Sequence, residues 1–311
     1  APFLYVINAQ TAFDQASNYT SGTWVHGSNL GSGFGAWNFS NNSGGGTAGT
    51  FIGNPLAAGI NGMNTSAFGL FSNPSSSGAT VSAKRPLSSD LQVGYKFSFL
   101  YGANFDAGSD GVKRFTIFNG ETQLLSLIQT NSSTIRIQDH INTSTQDMFA
   151  QYGTNAMRIN IARINGTQIR VYAYGRNGVE FFDRTFNISI APNAFEFYAH
   201  QLQTGDQAQP YFDELRISQF PTLPAIFPSI NGDLSDAAYT TLATSVGRTG
   251  FGASDRLGVM KYFTDGEDIY LGVTGELNSN NNLVLFFNFS GYSGRAASSV
   301  LSGSGGNGVF G

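Results

Sequence analysis

Alternation with a period of two residues is the feature that most constrains this chain. Tyr95, Phe97, Phe99 and Tyr101 alternate with Lys96, Ser98 and Leu100. Ile159, Ile161 and Arg163 alternate with Arg158, Asn160 and Ala162; Ile169, Val171 and Ala173 alternate with Arg170, Tyr172 and Tyr174. Phe195, Phe197 and Ala199 share one parity, as do Leu215 and Ile217. Successive side chains of a strand point to opposite faces, so each run turns one face to a core. Helical spacing is almost missing, and Gly, Asn and Ser clusters separate the runs, as in an all-β sandwich. Asn165-Gly166 and Asn177-Gly178 fall between such runs and read as hairpin turns whose two residues tolerate positive φ.

The pattern also divides the chain. Residues 1–220 read as one sandwich, with the Gly/Ser-rich stretch 31–53 as irregular edge strands and loops, because its aromatics Phe34, Trp37, Phe39 and Phe51 argue against a linker. Three prolines between Pro221 and Pro228 interrupt sheet pairing and mark a linker. Beyond it, residues 229–311 form a second β module with a Gly/Ser-rich tail. There Asp233–Tyr239 reads as a short helical turn, and 257–263, 269–274 and 283–288 as strands. This unit is short for a free-standing sandwich. Either the chain stops inside a domain, or the unit is completed by the first domain or another chain.

Composition narrows the function classes. The 311 residues are 41% hydrophobic, enough for real cores, but only 12% charged, about half the usual share. Such a surface suits a stationary extracellular or cell-surface protein. Net charge is −4 and no Lys/Arg run occurs, which argues against nucleic-acid partners and polybasic membrane patches. No apolar run reaches the roughly 18 residues of a membrane span. The absence of cysteine excludes thiolate zinc sites, thiol nucleophiles and disulfides, and tilts towards a bacterial or archaeal exported protein. The start Ala1-Pro2-Phe3-Leu4-Tyr5-Val6-Ile7 reads as a mature terminus after signal-peptide removal, with an engineered start as the alternative.

Four stretches carry a family resemblance: Gly33-Phe34-Gly35-Ala36-Trp37, Phe68-Gly69-Leu70-Phe71-Ser72-Asn73, Arg85-Pro86-Leu87 with Leu91-Gln92-Val93-Gly94-Tyr95, and Phe212-Asp213-Glu214-Leu215-Arg216-Ile217. Together they resemble exported bacterial proteins with a concanavalin-like or laminin-G-like jelly roll, a largely uncharacterised family. The resemblance implies a jelly-roll β-sandwich over the first two-thirds of the chain. Ile230-Asn231-Gly232-Asp233-Leu234 with Asp268-Ile269-Tyr270-Leu271 resembles part of a sugar-binding-module-like or DOMON-like sandwich. Such sandwiches host lectins, adhesins, hydrolases and structural modules alike.

Candidate chemistry is sparse. Asn104, Asp106 and Asp110 set oxygens at alternating positions in a Gly-bearing loop, the pattern of a calcium site; an Asx-rich turn is the alternative. Asp265-Gly266-Glu267-Asp268 reads as a hairpin turn. Exposed aromatics would serve sugar stacking: Trp24, Trp37, Tyr152 and Tyr198 are platforms, and Tyr172 with Tyr174 forms a stripe beside Arg170, opposite Ile169 and Val171. Its alternative is a cross-strand pair that stiffens the sheet. Among the N-x-S/T sequons, Asn165 at a predicted turn is the most accessible glycosylation acceptor. Glu180, Asp183, Glu196, Asp213 and Glu214 read as solvated rim carboxylates, with Asp213 and Glu214 on opposite faces. No G-x-S-x-G elbow occurs, and His26, His140 and His200 read as surface or loop residues.

These features favour a non-enzymatic secreted or cell-surface protein, structural or adhesive, assembling with itself into a layer or filament through poorly protected strand edges. The alternative is a carbohydrate-binding, lectin-like module, calcium-dependent or not. A polysaccharide-active enzyme comes third.

Overall fold

The computed structural model describes residues 11–20, 22–73, 78–106, 111–220, 234–235, 239–244, 256–264 and 269–276. The chain divides into a unit of residues 1–225 with 265–268, and a second unit of 226–264 with 269–311.

The first unit holds β1 (Ala12–Asp14), β2 (Asn38–Asn42), β3 (Ala48–Gly53), β4 (Ala67–Ser72), β5 (Thr80–Pro86), β6 (Tyr95–Gly102), β7 (Val112–Asn119) and β8 (Thr122–Thr130). These are followed by β9 (Ile135–Asp139), β10 (Ser144–Phe149), β11 (Met157–Asn165), β12 (Gln168–Tyr174), β13 (Phe181–Asn187), β14 (Ala194–His200) and β15 (Tyr211–Gln219). Sheet I runs β13-β12-β11-β6-β15-β4-β3, with β1 added to β15; sheet II runs β10-β9-β8-β7-β14-β5-β2. All their strand pairs are antiparallel, and the two sheets pack face to face as an all-β jelly-roll sandwich. Among the described residues no helix is long and apolar enough to cross a membrane.

Alternation builds the core. Phe97 and Phe99 of β6, Ile159 and Ile161 of β11 and Phe212 of β15 turn inward from sheet I, and Phe115, Ile117, Phe195 and Phe197 from sheet II. The Phe197 and Phe212 rings stack across the two sheets at 3.6 Å. The Gly/Ser-rich stretch supplies β2 and β3, each at an edge of its sheet. Trp24 and Trp37, two of the expected stacking platforms, are instead buried in the core, edge to face at 5.6 Å. Aromatic rings without charged neighbours in sequence fill a core as readily as they form a platform.

The residues that carry the resemblance interlock. Arg85 sits at an inward position of β5 and is fully buried, its guanidinium 4.8 Å from the Phe34 ring and 4.7 Å from the Trp37 ring. Its Nε donates to the Gly35 carbonyl at 2.8 Å, and its Nη1 pairs with the Asp14 carboxylate. Gly33 is required by its backbone: φ is +72°, and an added Cβ would lie 2.4 Å from the Thr11 carbonyl oxygen.

Three local readings need correction. Asn165 pairs with Gln168, so the central residues of the β11–β12 turn are Gly166 and Thr167, one position later than expected. The exposed Asn165 side chain accepts from the Thr167 N–H at 2.9 Å and sets that turn itself. Asp213 and Glu214 do not diverge: the β15 register shifts between Asp213 and Arg216, Glu214 has φ +51°, and both carboxylates accept from Asn64 Nδ2, at 3.1 and 3.2 Å. A bulge inserts one residue and cancels the parity rule. Nor is Asp213 a solvated rim group: it is 1% exposed and accepts from the Ala16 N–H at 2.7 Å, and its burial raises its pKa. At the Asn177-Gly178 turn, Gly178 has φ +71°.

In the second unit β16 (Thr240–Thr244), β17 (Arg256–Thr264) and β18 (Ile269–Glu276) form an antiparallel sheet in the order β16-β17-β18. β17 and β18 cover two of the expected strands; β16 was not anticipated. The expected strand at 283–288, most of the helical turn at 233–239, the turn at 265–268 and the N-terminal strand at 2–8 lie outside the described residues.

Candidate functional site

The outer faces of the two sheets differ. On sheet I, β6 is buried on both sides, Lys96 and Ser98 included. Tyr172, expected to be an exposed stacking ring, is 2% exposed; Lys96 Nζ donates to its hydroxyl at 3.3 Å and Phe220 packs on its ring at 6.2 Å. Ile169 and Val171 do face the core. The parity was therefore right, but the outward side of the strand is covered at Tyr172. Arg170 pairs with Asp183 and lies over the Tyr172 ring, while Tyr174 packs on Phe181 at 4.7 Å. The stripe works as cross-strand packing in which Tyr172 is covered and Arg170 and Tyr174 stay half-buried.

The proposed calcium loop is also otherwise engaged. Both oxygens of Asp106 accept from Arg176, at 3.0 Å each, and Gln129 donates to the same carboxylate. Asn104 donates to the Ala58 carbonyl and accepts from the Tyr152 hydroxyl. Arg176 is 1% exposed, and the buried Lys113 donates to the Phe105 carbonyl at 3.0 Å. Cationic side chains supply the positive charge a metal would otherwise bring. Asp110 lies outside the described residues, and no group of three or more His, Asp or Glu among those described could hold a metal ion.

Sheet II keeps a partly open outer face, exposed towards its edge strands and buried at Thr116 and Ser126 in its centre. Pairing register aligns Asn38 with Lys84, Glu196, Thr116, Ser126, Gln138 and Thr145, one residue from each of the seven strands. The next row of the same face aligns Ser40, Ser82, Tyr198, Arg114, Ile128, Arg136 and Asp147. Neighbours on these rows bond to each other. Arg114 Nη2 donates to Glu196 at 3.3 Å, and its guanidinium lies 4.4 Å from the Tyr198 ring. Arg136 pairs with Asp147 at 2.9 Å and Lys84 with Glu121 at 2.7 Å. The hydroxyls of Thr116 and Ser126 meet at 2.8 Å, and Ser126 Oγ lies 2.8 Å from His140 Nε2. Arg114 Nε is buried without a hydrogen-bond partner. At the Lys84 end the face opens into a hollow of about 460 Å³ lined by Asn38, Lys84, Asp90, Glu121 and Asn193 among others.

The Ser126–His140 contact has the length of a nucleophile–base pair, but not the setting. Ser126 is fully buried, and the neighbouring Asp139 accepts from Ile141 N–H, Asn142 N–H and the Asn142 amide, so it does not orient the imidazole. Burial, and secondarily Arg114, lower the His140 pKa below its usual 6.5. His140 is therefore neutral at neutral pH. The unfolded chain takes up this proton first as pH falls through 6.5, so the stability linked to neutral His140 is present above 6.5 and lost below it. An NMR titration of the imidazole is expected to give a midpoint below 6.5; a midpoint at or above 6.5 contradicts this environment. Burial also raises the Tyr198 phenol, against the opposing effect of Arg114.

The remaining carboxylates once weighed for catalysis are engaged too. Glu180 accepts from the Ala150 and Gln151 N–H groups at 3.0 and 3.1 Å. Glu214 pairs with Arg158. Sequence reasoning named Tyr198 and Glu196 but not their partners: their shared parity opposite Phe195 and Phe197 was readable, whereas the seven-strand row exists only through sheet register.

No protein-family model and no curated protein matches the sequence. Among solved structures, the chain is similar to the Ca²⁺-bound exoplasmic/lumenal domain of VIP36 (9% identity, 70% of this chain and 94% of that one, TM-score 0.38). It is also similar to the carbohydrate recognition domain of Emp47p (12%, 66% and 96%, 0.38) and to the galectin LEC-6 of Caenorhabditis elegans (13%, 48% and 95%, 0.32).

Proposed function

We propose that the first unit is a carbohydrate-binding module whose binding surface is the outer face of sheet II. The observation that carries this is a pair of rows across the seven strands, polar but for Ile128 and buried at Thr116 and Ser126, the first of which ends in the hollow beside Lys84. Sugar hydroxyls donate and accept at once, so they are matched by mixed amides, carboxylates, hydroxyls and guanidinium groups. Here Asn38, Glu196, Arg114 and Gln138 supply both roles, and the cross-bonding of Arg114, Glu196 and Tyr198 holds them in place before a ligand arrives, which lowers the ordering cost of binding.

A glycan array followed by calorimetry tests the reading. A retained glycan is expected to bind Arg114→Ala at least about tenfold more weakly, the loss of one charge-assisted hydrogen bond, with an unchanged circular-dichroism spectrum. No retained glycan, or unaltered affinity in Arg114→Ala, removes this surface as the site. An extracellular setting and an adhesive role belong to the same proposal: a sandwich that grips polysaccharide would hold its chain on a surface. Self-assembly is a separate expectation, read from the low charge; sedimentation of a strictly monomeric protein at high concentration counts against it.

A further inference from the structure

We infer that the ligand of this face is a neutral, extended polysaccharide rather than an acidic one; the inference rests on the carbohydrate reading above. Charge on the face is balanced pair by pair. The cations of its strands are Lys84, Arg114 and Arg136, and each has a carboxylate within salt-bridge distance: Glu121 at 2.7 Å, Glu196 at 3.3 Å and Asp147 at 2.9 Å. Asp90, which accepts from Asn193, adds a further carboxylate to the lining of the hollow beside Lys84 and Glu121. His140 adds no positive charge at neutral pH.

A uronate or sulfated chain would have to displace these carboxylates from their cations, and would meet Asp90 and Glu121 in the hollow. Like charges brought together without a compensating cation oppose binding. A neutral chain meets the same groups as hydrogen-bond partners. The paired charges present guanidinium and ammonium donors beside carboxylate acceptors, and the hydroxyls of Ser40 and Ser82 and the amides of Asn38 and Gln138 complete the rows.

Length points the same way. Seven strands at about 4.8 Å spacing extend roughly 29 Å across the face. The rows run from the edge strand β2 to the edge strand β10, several times the span of one sugar ring. An extended chain lying across the strands reaches the accessible row positions on either side of the buried Thr116 and Ser126, whereas a single sugar reaches two or three.

Affinity electrophoresis of the full chain through gels containing neutral polysaccharides (glucan, mannan, xylan) or acidic ones (polygalacturonate, dextran sulfate) tests the inference. The expected result is retention by a neutral polymer, stronger for long than for short oligomers of it. Affinity should change less than about twofold as NaCl rises from about 0.05 to about 0.5 M, since no ligand charge is screened. A Glu121→Lys, Asp147→Lys double variant, which leaves the Arg114 and Glu196 pair in place, is expected to gain retention by the acidic polymers. Retention of the original chain by acidic polymers alone, weakening with salt, overturns neutrality and leaves carbohydrate binding standing. Retention by none of the polymers, neutral or acidic, removes both.

Discussion

Replacing Arg85 by Met is expected to lower the unfolding free energy by about 3–5 kcal/mol, because it strands a buried carboxylate. Asp14 and Arg85 are each fully buried. β1 brings Asp14 inward opposite Leu215, and β5 brings Arg85 inward from the other sheet, so the pair joins the two layers. The remaining lone pairs of Asp14 accept from Gln15 N–H at 2.9 Å, Asn18 Nδ2 at 3.0 Å and the Tyr19 hydroxyl at 2.7 Å. Arg85 completes its donors on Gly35 and Asn29 between the Phe34 and Trp37 rings. Methionine restores much of the volume but none of the charge. An Asp14→Leu, Arg85→Met double variant should recover part of the loss, since replacing both partners removes the uncompensated charge. Urea unfolding of the three variants measures this. A single-variant loss below about 1 kcal/mol would show that Asp14 reaches solvent or another cation once Arg85 is gone.

Arg176→Ala is expected to cost a similar amount, about 3–5 kcal/mol, for the same physical reason. Its guanidinium serves the Ala103 carbonyl at 2.8 Å, the Ser133 carbonyl at 3.0 Å and both oxygens of Asp106. Arg176→Lys should retain only part of the stability, because an ammonium cannot fork across a carboxylate and two carbonyls at once. The same geometry predicts that calcium or a chelator leaves the melting temperature unchanged: a metal at Asp106 would have to displace a buried cation. Thermal unfolding with and without calcium decides the matter. A calcium-dependent rise would mean that the ion binds the native state, since such linkage stabilises by RT ln(1 + [L]/Kd), and would return the 104–110 loop to the role first read from its spacing.

The difference between those two readings of Asp106 shows where sequence reasoning stopped. Alternating oxygens in a Gly-bearing loop describe the supply of ligands. Whether they meet a metal or an arginine depends on Arg176, seventy positions away. The motif residues had a similar fate. Phe34, Trp37, Arg85 and Asp213 stood out as a pattern before any role could be attached to them, and their work proved to be interlocking β1, β5 and β15 inside the sandwich. Tyr172 was assigned to the correct face of β12, yet the contacts of Lys96 and Phe220 with its ring could not be read from β12 itself. At Asp213 and Glu214 the parity rule itself failed, because a bulge with a positive φ at Glu214 leaves no trace in a two-residue period.

Period-two alternation by itself determined that this chain is all-β, and it sorted Phe97, Ile159, Val171 and Phe195 onto core faces. That is possible because side-chain direction is a property of a single extended strand. Tertiary structure alone decided which outward positions are covered, Tyr172 and Ser126 among them, and which charges pair across the layers. It also lined up Glu196, Thr116 and Ser126 in one row. Those outcomes depend on register and on neighbours brought together from distant parts of the chain, and no single strand carries that information.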